Sequence, residues 1–261
     1  MRRILIFIIL GLVLGSTYHL SQQAKSWHYI VPASDHELLY ATSFEAPLAE
    51  WAQDERGTFR HVVDDGALVI AGLVDRVAPI ALLDFYFSRF DFSVQTEIID
   101  GDFSGANENA FGVVFRRSDA RNYYVFLISG DGYYRIKRSV NGIETDLNVW
   151  NYSDAIHQGI GAINTLRVSA IDDQFVFYIN DTPLEICVPD DPDHVSTINS
   201  FTNECIGGTW QSTLTDSTHP YGQIGVVADV HQAGRDYPDM VIAFDHVIIT
   251  GGQALATEGH P

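Results

Sequence analysis

Six side chains in this sequence are of the types that a polyhydroxylated ring needs around it. Tyr133, Trp150 and Tyr123 offer flat apolar rings, and Arg135, Asn148 and Arg116 offer guanidinium and amide groups. A sugar ring has an apolar face to stack and hydroxyls to satisfy, so such a set could bind one. Whether the six meet depends on strand alternation. Asn141-Gly142 is a strong hairpin signal, because a type I′ turn needs φ > 0 at both central positions. A two-residue loop sets the register: Val140 opposite Ile143, Arg138 opposite Thr145, Ile136 opposite Leu147 and Tyr134 opposite Val149. That row faces the core. The other row pairs Ser139 with Glu144, Lys137 with Asp146, Arg135 with Asn148 and Tyr133 with Trp150. If Phe111, Val113 and Phe115 face the core, the same alternation turns Arg116 outward, with Tyr123 on the next strand. A plainer reading of this row is a solvated sheet surface, its cross-strand pairs worth about 0.2–1 kcal/mol each. Trp210 and Tyr221 are an alternative site at a loop rim.

The remaining chemistry-bearing residues are sparse. There is no serine-nucleophile elbow, and His61, His157, His219, His231 and His246 lack metal-ligand spacing and read as surface or loop residues. Cys187 and Cys205 flank a stretch rich in Pro, Asp and Asn; outside the cytoplasm such a pair forms a disulfide. A zinc site with His194 is the alternative, with a poor ligand signature.

The elements that must position these residues are short β runs separated by turn residues. They are 40–45, 58–63, 67–71, 79–84, 92–99, 110–117, 123–129, 133–140, 143–150, 165–171, 175–180, 223–230 and 240–250. A second hairpin, turning at Asp172-Asp173, pairs Ala170 with Phe175, Val168 with Phe177 and Leu166 with Ile179, and sets Arg167 beside Tyr178. This spacing predicts an all-β, antiparallel β-sandwich of jelly-roll type over 38–250, with an insertion over 189–220 and a tail over 251–261.

The chain of 261 residues is 46% apolar and carries a formal net charge of −19, which argues against a nucleic-acid partner. Arg2 and Arg3 precede an apolar run from Ile4 to Gly15. Residues 1–20 therefore read as a signal peptide or a retained membrane anchor through residues 4–20, followed by a polar stalk over 21–37. Either way the remainder lies outside the cytoplasm: secreted, periplasmic or at the cell surface.

Several stretches, in their order and spacing, resemble the concanavalin A-like lectin/glucanase jelly rolls. They are SFEAPLAEW (Ser43–Trp51), GVVFRR (Gly112–Arg117) with NYYVFLISGDGYYRIKRSVNG (Asn122–Gly142), LRVSAIDDQFVFYIND (Leu166–Asp181), GQIGVVA (Gly222–Ala228) and IAFDHVII (Ile242–Ile249). Within that group the chain is most similar to laminin-G-like and 3-keto-disaccharide hydrolase-type domains of bacterial surface proteins. The resemblance implies a structural Ca²⁺ between the first and last strands, with Glu45 and Asp245 at the matching positions. Asp100, Asp102, Asn107 and Glu108 form a second acidic loop. The glucanase branch would need carboxylates alternating on one strand face. In EIIDGD, Glu97 points to one face while Asp100 and Asp102 point to the other or lie in a turn, so that spacing fails. Fold alone does not give function. The leading expectation is a non-catalytic, lectin-like module binding glycan through the polar-aromatic face. The second is an accessory, membrane-anchored ectodomain subunit whose partner is a membrane-complex protein. A carbohydrate-active hydrolase is the disfavoured third.

Overall fold

Apolar residues at every second position build the strands. Along Phe90–Asp100, Phe90, Phe92, Val94, Thr96 and Ile98 are buried while their neighbours are half-exposed, as one face of a packed sheet requires. In this computed structural model the described residues are 29–252 apart from 31–33, 47, 75, 77, 104–108, 192–194, 200 and 232–239, together with 13 and 15. The expected signal or anchor segment lies outside them save Val13 and Gly15, as do Asn107, Glu108 and most of the tail. Among the described residues no helix is long and apolar enough to cross a membrane.

Two sheets face each other. The seven-stranded sheet runs in the order Tyr29–Ile30, Ile80–Phe87, Gly222–Asp229, Ala110–Asp119, Asn122–Ile128, Tyr133–Val140, Ile143–Tyr152. Its first strand falls inside the expected stalk and pairs in parallel with Tyr86 and Phe87. The ten-stranded sheet runs Thr182–Pro183, Gln174–Ile179, Ile163–Ile171, Phe90–Asp100, Met240–Thr250, Ala67–Gly72, Phe59–Asp64, Asp54–Arg56. Leu38–Thr42 joins Met240–Thr250, and Leu214–Thr215 joins Gln174–Ile179. The fold is thus the antiparallel all-β sandwich expected.

The sheets meet through aromatic rings. Phe115 and Phe126 of one sheet approach Phe175 and Phe177 of the other, with centroids 5.5 and 5.1 Å apart. Such pairs add about 0.5–1.5 kcal/mol beyond the area they bury. The Asp172-Asp173 hairpin has the expected register. Arg167 lies 4.5 Å from the Tyr178 centroid and is held there by Asp91, 2.7 Å from both Nε and Nη2.

The insertion is more structured than its composition suggested. Ile186–Pro189 pairs with Gly208–Gln211, and Thr197–Ile198 pairs with Cys205–Ile206. Cys187 and Cys205 are disulfide-bonded, closing this unit. His61 is a buried strand residue rather than a surface or loop one, and His219, in a loop as expected, is also buried. Each lodges a ring nitrogen 2.8 Å from a backbone oxygen, of Ala52 and Ser139 respectively.

Candidate functional site

The Asn141-Gly142 turn has the expected form, with φ of 54° and 82°. Pairing follows the expected register from Val140–Ile143 back to Lys137–Asp146. Beyond that point two bulges in the strand Ile143–Tyr152 shift it, so Ile136 lies opposite Asn148, Tyr134 opposite Asn151 and Tyr133 opposite Tyr152. An extra residue in one strand turns the side chains after it to the other face, and a second extra residue turns them back. The segment Leu147–Tyr152, LNVWNY, does not alternate apolar with polar, and that was the available signal.

The first consequence concerns Asn148. It was expected on the outer face beside Arg135, but the bulge turns it inward, where it is 1% exposed. Its Oδ1 accepts from the backbone N–H of Cys187 at 3.0 Å, so it fastens the disulfide-bonded insertion to the sheet. Asn151 is likewise buried and donates to the Tyr134 hydroxyl at 2.6 Å, which itself donates to the Glu185 carbonyl.

Arg116 is the second correction. It was expected to face outward, but the pairing of Ala110–Asp119 with Asn122–Ile128 is irregular after Phe115, and Arg116 takes a φ of 49°. This swings the side chain into the sandwich, where it is fully buried. It donates to the carbonyls of His219 (3.1 Å), Ser88 (2.8 Å) and Asp172 (2.5 Å). A buried guanidinium needs such acceptors to offset its lost hydration. Arg116 is a structural tie between the sheets.

The outer face keeps Tyr123, Tyr133, Arg135, Lys137 and Trp150. Trp150 packs with Tyr123 and Ile80 against a small outward apolar cluster of Ala110, Val114, Val125, Leu127 and Val227. The Arg135 guanidinium carbon lies 5.6 Å from the Trp150 ring centroid. Arg135 also holds Asp146 in a bidentate pair of 2.6 and 2.8 Å. Trp150 is therefore a base under Arg135 and does not stack beside Tyr133. The open aromatic surface is Tyr133 with Tyr152, 40% and 46% exposed, their rings edge-to-face at 5.6 Å. Tyr152 was not singled out in the sequence, because the unbulged hairpin ended at Trp150.

The polar part of this face is tightly paired. Glu144 accepts from the Tyr123 hydroxyl at 2.9 Å and from Lys137 at 3.1 Å. Burial opposes ionisation of Glu144, but Lys137 and Tyr123 outweigh it and hold its pKa below the ordinary value. Burial and the hydrogen bond to Glu144 push the Tyr123 phenol up to about 12. Asp229, 3.8 Å from Lys137, has its pKa raised by burial, against which Lys137 acts only in part.

The other candidates are scattered. Asp100 caps the N–H of Gly101 at 2.9 Å, and Glu97 lies on the outward side of its strand. Trp210 is half-buried opposite Cys187, and Tyr221 is exposed. Glu45 is exposed, and the two Asp245 oxygens are engaged by the backbone N–H and Nδ1 of His246, both at 2.6 Å. Among the described residues no group of three or more His, Cys, Asp or Glu is placed to hold a metal ion.

No protein-family model matches the sequence, and no curated protein matches it. Solved structures do match the fold. A carbohydrate binding module, CBM66 from Bacillus subtilis, is 17% identical with a TM-score of 0.51, covering 77% of this chain and 96% of that one. A protein of unknown function with a galectin-like fold, also from Bacillus subtilis, is 10% identical with a TM-score of 0.53, covering 84% and 99%. The catalytic domain of an endo-1,3-beta-glucanase (laminarinase) from Thermotoga petrophila is 9% identical with a TM-score of 0.50, covering 85% and 100%. The chain shares its fold with these three structures, one of them described as galectin-like. At these identities the likeness is one of fold, and it does not extend to a site.

Proposed function

We propose that this chain is an extracytoplasmic, non-catalytic module that binds glycan on the outer face of its seven-stranded sheet. The observation that carries this reading is the exposed Tyr133–Tyr152 pair beside the Arg135–Asp146 bidentate pair. Two open rings can stack a sugar, and an oriented carboxylate and guanidinium can meet its hydroxyls. The fold is shared with a carbohydrate binding module and with glucanase domains, which supports the class of ligand. The disulfide supports an oxidising compartment outside the cytoplasm. The failed carboxylate spacing around Glu97 supports binding without turnover.

A glycan array followed by affinity electrophoresis in each retained polysaccharide tests this reading. Tyr133→Ala and Tyr152→Ala should each weaken retardation about tenfold, the size of one lost stacking contact. An array with no sugar bound would sink the proposal. New reducing ends that disappear in Glu97→Gln would overturn its non-catalytic part.

A second reading, an accessory subunit anchored to a membrane assembly, is favoured by one observation. Phe201 stands 98% exposed at the tip of the disulfide-closed insertion, where Asn199 Oδ1 accepts from its N–H at 2.9 Å. A large apolar side chain held out on a pinned turn suits contact with a protein. Co-purification of a membrane partner that Phe201→Ser abolishes would favour this reading over the first.

A further inference from the structure

The inward row of the hairpin does not close onto the core along its whole length. Where Arg138 and Thr145 pass the edge of the ten-stranded sheet, a cleft of about 370 Å³ opens. Its other walls come from the Asp172-Asp173 turn, the return segment Leu214–Thr218 and the disulfide-bonded strand at Val188 and Pro189. Leu147 and Leu214 supply an apolar surface, while Asp173, Asp216 and Arg138 supply charge.

The polar groups are held in place before any ligand arrives. Asp216 accepts from the Tyr124 hydroxyl (2.6 Å), from Arg138 Nη1 (2.6 Å) and from the Thr218 N–H (2.8 Å). Asp146 borders the cleft, with its carboxylate turned to Arg135 on the outer face. Pre-set groups bind without the cost of ordering flexible side chains.

Charge selects the ligand. Asp216 is paired with Arg138, and Asp146 with Arg135 on the outer face, so Asp173 leaves the cleft with a net negative charge that disfavours an anion. The described acidic groups do not gather as a metal site either. A neutral molecule with many hydroxyls suits the cleft: its O–H groups donate to the carboxylates, it accepts from Arg138, and its C–H face lies on the two leucines. The volume is at the small end of ligand pockets, which run from about 300 to 1,000 Å³. Walls on three sides favour the end of a chain over its middle.

We propose that this cleft binds the terminal unit of a neutral oligosaccharide. It is a second contact beside the outer face, and the two sites meet at Asp146. The inference rests on the glycan reading for its choice of ligand.

Saturation-transfer NMR on the full chain tests it, with free neutral hexoses and their methyl glycosides as probes. Ser217, exposed at the cleft, can take a bulky residue without disturbing the core. Transfer to at least one hexose is expected in the wild type. It should fall tenfold or more in Ser217→Trp and in Asp173→Asn, and persist in Tyr133→Ala. Melting curves verify that each variant is folded, and whichever of the two cleft variants melts as the wild type carries the test. Hexose binding that survives both cleft variants, or that Tyr133→Ala removes, overturns the cleft. Retention of polysaccharide without any hexose transfer overturns the cleft and leaves the outer face standing. No binding of either kind overturns both.

Discussion

Arg116 lies over the ring of Phe175, its guanidinium carbon 4.8 Å from the centroid. The contact joins the two sheets, and the three carbonyl acceptors around the guanidinium come from three separate segments. Arg116→Ala should therefore cost about 3–5 kcal/mol, since it leaves three carbonyls without their donor at about 1–3 kcal/mol for each that stays unsatisfied. Urea unfolding measures this. A loss below about 1 kcal/mol would show that the carbonyls find water instead.

Two partly buried carboxylates act on stability with opposite signs. Asp216 is partly desolvated, which opposes ionisation, but hydrogen bonds from Thr218 and Tyr124 and the charge of Arg138 outweigh this and lower its pKa. Its contribution is present above the unfolded carboxylate pKa of about 3.9 and is lost as pH falls through the lower folded value. Asp229 has a raised pKa, chiefly from burial. The folded state keeps its proton longer, so stability declines as pH rises from the unfolded value through the folded one. Asp229→Asn should remove that decline, and Asp216→Asn should flatten the acid limb. Melting temperatures of both variants between pH 3 and 8 are the measurement. A parallel effect of the two substitutions would contradict this assignment.

The Cys187–Cys205 bond closes the insertion, and Cys187 is also tied to Asn148 on the sheet edge. Reduction, or the Cys187→Ser/Cys205→Ser pair, should destabilise the protein by roughly 3 kcal/mol in the chain-entropy account. Non-reducing mass analysis with alkylation should find no free thiol before reduction. Two labelled thiols in the native protein would refute the pairing.

Calcium at Glu45 and Asp245 would have to displace both contacts that Asp245 makes with His246. EDTA is accordingly expected to leave the melting temperature unchanged. A drop reversed by Ca²⁺ and absent in Asp245→Asn would restore the ion.

Strand positions were legible because their determinants are local. Tyr133–Val140 and Met240–Thr250 fall where alternation and turn residues placed them, as does the second hairpin's register. The positive-φ turn at Asn141-Gly142 is a property of two neighbouring residues. The candidate site was legible only in part, because its geometry depends on which strand bulges against which partner.

By itself, then, the sequence determined an antiparallel sandwich, the positions of most of its strands along the chain, the cysteine pair and one hairpin with an aromatic outer row. Only the tertiary structure decided which side chains that row contains. Bulges near Leu147 and beyond Phe115 break the alternation, sending Asn148 to the insertion and Arg116 between the sheets, and the shifted register sets Tyr152 rather than Trp150 opposite Tyr133. A bulge is stabilised by hydrogen bonds and packing contributed by distant segments, here Cys187 for Asn148 and Ser88, Asp172 and His219 for Arg116. Those partners lie tens of residues away in the chain, beyond the reach of any local pattern.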